Sequence, residues 1–162
     1  MHIRKALIAA AGVLVATVLV AAPAGALTAN GTTNGSGAIL AAWWDRVQPG
    51  YKTLGTDVLG VGKAVGDVPS LHGALVGVNA ACKKVVTDVA ALQKLPPAPD
   101  RRINARWQAG LKLYGQGASA CVKGTASRTT KLIGKAGRDF TKAGTSMRSA
   151  TFRIQKATSS GS

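Results

Sequence analysis

From Leu40 to Ile154 the apolar residues recur at alternating steps of three and four, and no segment alternates with period two. That spacing matches an α-helix, in which side chains three and four apart share a face, and it argues against half-buried strands. Four stretches carry it. The first holds Leu40, Trp44, Val47, Tyr51, Leu54, Val58, Val61 and Val65, and the second Leu71, Leu75, Val78, Cys82, Val85, Val89 and Leu92. The third holds Ile103, Trp107, Leu111, Tyr114, Ala118 and Cys121, and the fourth Ile133, Ala136, Phe140, Ala143, Met147, Ala150 and Ile154. Each has one apolar stripe to bury, so residues 38–158 are expected to form an all-α, up-and-down four-helix bundle. Pro49 lacks an amide hydrogen and crowds the preceding turn, so the first helix is expected to kink or split there.

The connectors agree with these limits. Asp67, Pro69 and Ser70 read as a turn and a helix start, Pro96-Pro97-Ala98-Pro99-Asp100 as an extended link, and Gly124 to Ser127 as a break before the fourth helix. Cys82 and Cys121 both fall on apolar faces. A tight hairpin would hold them about 12 Å apart along the bundle axis. Five extended residues in the proline link cover roughly 15 Å, which lets the third helix start further out and return to the level of Cys82. The expected pairing is a structural disulfide. A reactive thiol has no Cys-x-x-Cys motif to support it, and His72 is about 15 Å from Cys82 along the helix.

Residues 1–26 have the form of a cleaved secretory signal peptide. Arg4 and Lys5 precede the uncharged, mainly apolar run Ala6 to Ala22, and Ala24-Gly25-Ala26 supplies the small residues a signal peptidase reads. The apolar run is at the short limit for a bilayer core about 30 Å thick, which favours a cleaved address over an anchor. Export by the general secretion route is expected, with the product in the medium or the cell envelope. Leu27 to Gly37, rich in Gly, Asn, Thr and Ser, reads as a flexible leader, and residues 159–162 as a disordered tail.

Little is left for catalysis. The chain has 6 acidic side chains, all aspartate, and 2 histidines, His2 and His72. There is no Gly-x-Ser-x-Gly, no His-Glu-x-x-His and no calcium loop. Gly60-Val61-Gly62-Lys63 misses the dinucleotide spacing and lacks the hydroxyl residue that a P-loop places after Gly-Lys. No enzyme activity, metal site or cofactor is expected. Trp44 and Trp107 fit the core faces, whereas Trp43 lies off that face, as a packing residue or a cap at one bundle end.

Charge is the feature with a direction. The chain carries 21 Lys and Arg against 6 acids, a formal net charge of +15, and the signal peptide accounts for only Arg4 and Lys5. Residues 123–162 hold Lys123, Arg128, Lys131, Lys135, Arg138, Lys142, Arg148, Arg153 and Lys156 against Asp139 alone. Of these, Arg128, Lys131, Lys135, Arg138 and Lys142 recur at steps of three and four, so they are expected to form one stripe of the fourth helix. Solvated faces usually mix both signs. Here like charges repel, and an anionic partner relieves them. Export disfavours nucleic acid, which leaves an anionic envelope lipid or polymer as the expected partner.

Trp44, Asp57, Cys82 followed by Asp88, the stretch from Pro96 to Asp100, Trp107, Tyr114, and Cys121 with Gly124 behind it make the chain resemble a group of small exported actinobacterial proteins of unknown function. The resemblance implies a secreted, disulfide-linked helical protein, and no reaction or ligand. Two function classes stay open. One is a basic, non-enzymatic envelope protein that binds anionic surfaces through its C-terminal helix. The other is a helical-bundle carrier of a small apolar ligand, for which the many core Gly and Ala would leave room.

Overall fold

The computed structural model describes residues 35–66 and 71–159, the side chains of residues 71–74 excepted. The expected signal peptide, most of the expected leader, the Asp67–Ser70 turn, the His72 side chain and the last three residues of the expected tail lie outside the described residues. Four helices follow one another: α1 (Gly35–Gly66), α2 (Leu71–Gln93), α3 (Arg101–Ala126) and α4 (Thr130–Ser159). No strand occurs among the described residues, and no helix there is long and apolar enough to cross a membrane.

Each helix runs antiparallel to the next, and the ring closes. Gly50 of α1 faces Leu92 near the end of α2. Asn79 in the first half of α2 donates hydrogen bonds to the Val122 carbonyl (3.2 Å) and to Thr125 Oγ1 (2.6 Å) near the end of α3. Gly110 in the first half of α3 and Gly124 near its end meet Met147 and Ile133 of α4 respectively, and Gly37 of α1 lies against Ala157 of α4. The result is an up-and-down four-helix bundle.

The first helix departs from expectation at both its start and its middle. It begins at Gly35, three residues inside the stretch read as leader, and it runs unbroken through Pro49. The missing amide of Pro49 deprives the Asp45 carbonyl of its helical partner, yet Asp45 and Pro49 are both exposed, so that carbonyl is open to solvent and the helix is not split. Thr53 Oγ1 donates to the Pro49 carbonyl at 3.2 Å.

The core is anchored where the sequence placed its stripes, with one exchange. Trp43 is buried and Trp44 is half-buried, the reverse of the expected assignment. α1 packs against both α2 and α4, so its buried face is wide enough to take two adjacent indoles. Trp43 donates from Nε1 to the Pro96 carbonyl at 2.8 Å, which ties α1 to the proline link. Its ring meets Trp107 edge-on with centroids 5.5 Å apart, and Trp44 and Tyr51 stand 6.2 and 5.5 Å from the same ring. Such edge contacts are worth about 0.5–1.5 kcal/mol each beyond their area.

This aromatic knot fills the space beyond the end of α2. α3 starts further out than α2 ends, and the link over residues 94–100 spans the offset. Asp100 caps α3, its Oδ1 accepting from the Ile103 amide at 2.8 Å. The returning α3 brings Cys121 level with Cys82, and the two form a disulfide with Cα atoms 6.1 Å apart across a sequence separation of 39.

α3 and α4 approach closely because α3 is glycine-lined on that side. A Cβ at Gly110 would lie 2.6 Å from Met147 Sδ, one at Gly117 2.8 Å from Phe140 Cδ1, and one at Gly124 3.0 Å from the Ile133 amide nitrogen. These glycines therefore admit α4 side chains. Gly124, expected to start the interhelix break, lies inside α3, and the break falls later, at residues 127–129.

Candidate anion-binding face

α4 is built with two faces. Ala136, Phe140, Ala143, Met147, Ala150 and Ile154 are buried, and Ile133 is half-buried at the turn end. At 100° per residue, Lys131, Lys135, Arg138 and Lys142 fall within roughly 60° of arc on the side away from that core. All four are exposed. Arg153 and Lys156 fall on the same arc and are exposed as well, so the line covers roughly 37 Å of helix from Lys131 to Lys156. Thr145 and Ser149 occupy the line between Lys142 and Arg153.

Arg128 is not on this helix, which corrects the expected five-residue stripe. It sits in the α3–α4 link with φ 56°, the left-handed conformation that closes a helix C-terminus. The Ser127 amide donates to the Lys123 carbonyl at 2.9 Å, and the Thr129 amide to the Gly124 carbonyl at 2.8 Å. The steps of three and four continue from Arg128 to Lys131 by coincidence of spacing across a helix break. Arg153 and Lys156 escaped the sequence reading for the opposite reason: the line is interrupted by two uncharged turns, so stepwise spacing stopped at Lys142. Helix angle, rather than step, places them.

The single acid of α4 does not neutralise the line. Asp139 is buried and forms an ion pair with Lys135 one turn earlier, whose side chain is half-exposed. Lys135 is therefore committed to the protein's own carboxylate, and Lys156 has an interaction of its own. The others stand three, four or more residues from like charges, each such neighbour costing a few tenths of a kcal/mol.

Groups capable of chemistry lie elsewhere and are mostly disarmed. Both cysteines are in the disulfide. Burial pushes the Tyr114 phenol up to about 12, with Tyr51 reinforcing and Arg148 opposing the shift, and burial raises Tyr51 too. Both are neutral packing groups at ordinary pH. Asp57 of α1 and Asp88 of α2 meet across the helix interface, a juxtaposition the sequence spacing did not reveal. Burial, then the hydrogen bond and charge of Asp57, hold the Asp88 carboxyl above its ordinary range against the pull of Lys84. Asp88 Oδ2 is buried without a hydrogen-bond partner. No group of three or more His, Cys, Asp or Glu side chains able to hold a metal occurs among the described residues.

Surface concavities flank the helices among the described residues. One, of about 520 Å³, runs between α2 and α3 beside Lys83, Val86, Gly115 and Lys123. Another, of about 340 Å³, lies where the start of α3 meets the end of α4. No family model, curated protein or solved structure matches the chain.

Proposed function

We propose that the protein is a secreted, non-enzymatic component of the cell envelope that binds anionic lipid surfaces or polymers through the outer face of α4. One observation carries this reading. Lys131, Lys135, Arg138, Lys142, Arg153 and Lys156 form a single exposed line on one continuous helix, and the only acid of that helix is already paired. A line of like charge on a rigid helix raises the local concentration of anions and binds them without a shaped pocket. Near a negatively charged membrane each such cation contributes about 1 kcal/mol, and the attraction fades within a Debye length of about 10 Å at 0.1 M salt.

The carrier reading has less support, because Met147, Phe140 and Ile133 occupy the space beside Gly110, Gly117 and Gly124. Co-sedimentation with phosphatidylglycerol vesicles and with neutral phosphatidylcholine vesicles tests the proposal. The protein is expected to pellet with the former at low salt, to be released as salt rises, and to ignore the latter. Equal binding to both vesicle types would refute it.

A further inference from the structure

We propose that the partner of the α4 face is an anionic lipid bilayer rather than a soluble polyanion, and that the Phe152 side chain enters that bilayer. The proposal rests on the reading of α4 as an anion-binding face and names the partner of that face. Phe152 is 66% exposed, whereas every other aromatic ring of the chain is taken up by the fold. Trp43, Trp107, Tyr114 and Phe140 are buried, and Trp44 and Tyr51 are half-buried against Trp107. A lone exposed apolar side chain is ordinary on a protein surface. What sets this one apart is its place on α4.

Phe152 lies in the interval where the cation line is interrupted, beyond Lys142 and next to Arg153. At 100° per residue, Phe152 and the cations of the line share an arc of roughly 100° on the side of α4 away from the core. The ring stands on the flank of that arc nearer α1, between the line and the exposed Arg148, whose charge acts on Tyr51 of α1. Lys131, Arg138, Lys142 and Arg153 supply the attraction without Lys135 and Lys156, which are already engaged. A bilayer and a soluble polyanion ask different things of such a face. Linear polyphosphate offers charge and acceptor oxygens alone, and a phenyl ring adds nothing to its capture. At an anionic lipid surface the headgroups meet the cations, while an apolar side chain beside them reaches about 5–10 Å deep, to the boundary with the acyl chains. The long stems of Lys and Arg keep their charges among the phosphates as the ring goes deeper.

The experiment uses the full mature chain with two probes, phosphatidylglycerol vesicles and linear polyphosphate, at one low salt concentration. Because Phe152 is exposed, its variants should keep the wild-type circular dichroism. Phe152→Ser should bind the vesicles about tenfold more weakly than the wild type, with its affinity for polyphosphate unchanged. Phe152→Leu should recover most of the loss. Phe152→Trp should add an emission component that shifts to the blue with vesicles and is quenched by brominated acyl chains, and polyphosphate should produce neither change. A Phe152→Ser variant that binds vesicles like the wild type, or that loses vesicle and polyphosphate binding in equal measure, overturns the proposal. Wild-type protein that binds polyphosphate and ignores the vesicles also overturns it, assigns a soluble polyanion, and leaves the α4 reading standing. Binding to neither probe removes the α4 reading and the bilayer proposal together.

Discussion

Replacing Gly117 by alanine tests the tight α3–α4 seam. The added methyl would sit 2.8 and 2.9 Å from two ring carbons of Phe140 and 3.2 Å from the Ala136 carbonyl oxygen. Phe140 has little room to retreat, since it is buried and its ring lies 6.2 Å from that of Tyr114. The carbonyl is part of the α4 backbone and cannot rotate away. Overpacking of this kind costs about 1–3 kcal/mol. Alanine recovers up to about 1 kcal/mol of helix propensity, so the net loss should be up to about 2 kcal/mol. For a domain of this size that lowers the melting temperature by up to about 10 °C. Gly77 of α2 is the control, because it is exposed and a Cβ there meets nothing within 4 Å. Gly77→Ala should raise the melting temperature by a few degrees through propensity alone. Thermal unfolding of both variants, followed by far-ultraviolet circular dichroism, gives opposite signs if the seam is as described. A Gly117→Ala variant stabilised as much as Gly77→Ala would mean that α3 and α4 are not in contact there, and would return space to the bundle interior.

Three further outcomes follow from single residues. Asp88→Asn should be more stable than the wild type at neutral pH, with the difference vanishing at acid pH. The folded-state pKa of Asp88 is raised, so its unfavourable effect is absent below the ordinary carboxylate value of about 4, grows from there up to the raised folded value and is constant above it; equal pH–stability curves would contradict this. Arg128→Gly should raise stability by about 1 kcal/mol in urea unfolding, because glycine adopts the left-handed conformation without the cost a side chain incurs; a loss would point to a contact of the guanidinium. Cys82→Ser should remove about 4 kcal/mol on chain-entropy grounds, and the native thiols should resist alkylation until reductant is added; immediate labelling would contradict the pairing.

How much of this was legible beforehand depends on whether a property is local. The apolar stripes of α3 and α4 were read almost residue for residue, since a helix buried along one stripe writes its own period into the sequence. α1 blurs the signal because Trp43 and Trp44 are adjacent and both reach the Trp107 ring, so spacing alone favours the wrong indole. Cys82 and Cys121 are the chain's two cysteines, both on apolar faces, and the length of the proline link weighed against helix rise explains how they reach one level. The meeting of Asp57 with Asp88 depends on the register between α1 and α2, which no local pattern encodes. The α4 face was partly visible. Its first four helical cations follow the steps of three and four, whereas Arg128 belongs to the preceding turn, and Arg153 and Lys156, beyond two uncharged turns, fall on the line by helix angle rather than by step.

The α4 line is proposed to bind polyanions through charge, one cation at a time. The salt dependence of binding to a linear polyphosphate tests it most directly. The comparison is between the wild type and a variant carrying Lys131→Gln, Arg138→Gln and Lys142→Gln, with Lys135 left in place because its loss would strand the buried Asp139. A plot of log affinity against log salt concentration should be steep for the wild type, and its slope should shrink by about 3 in the variant, about 1 for each cation removed. A flat wild-type plot, or a variant whose slope and affinity match the wild type, would contradict the claim.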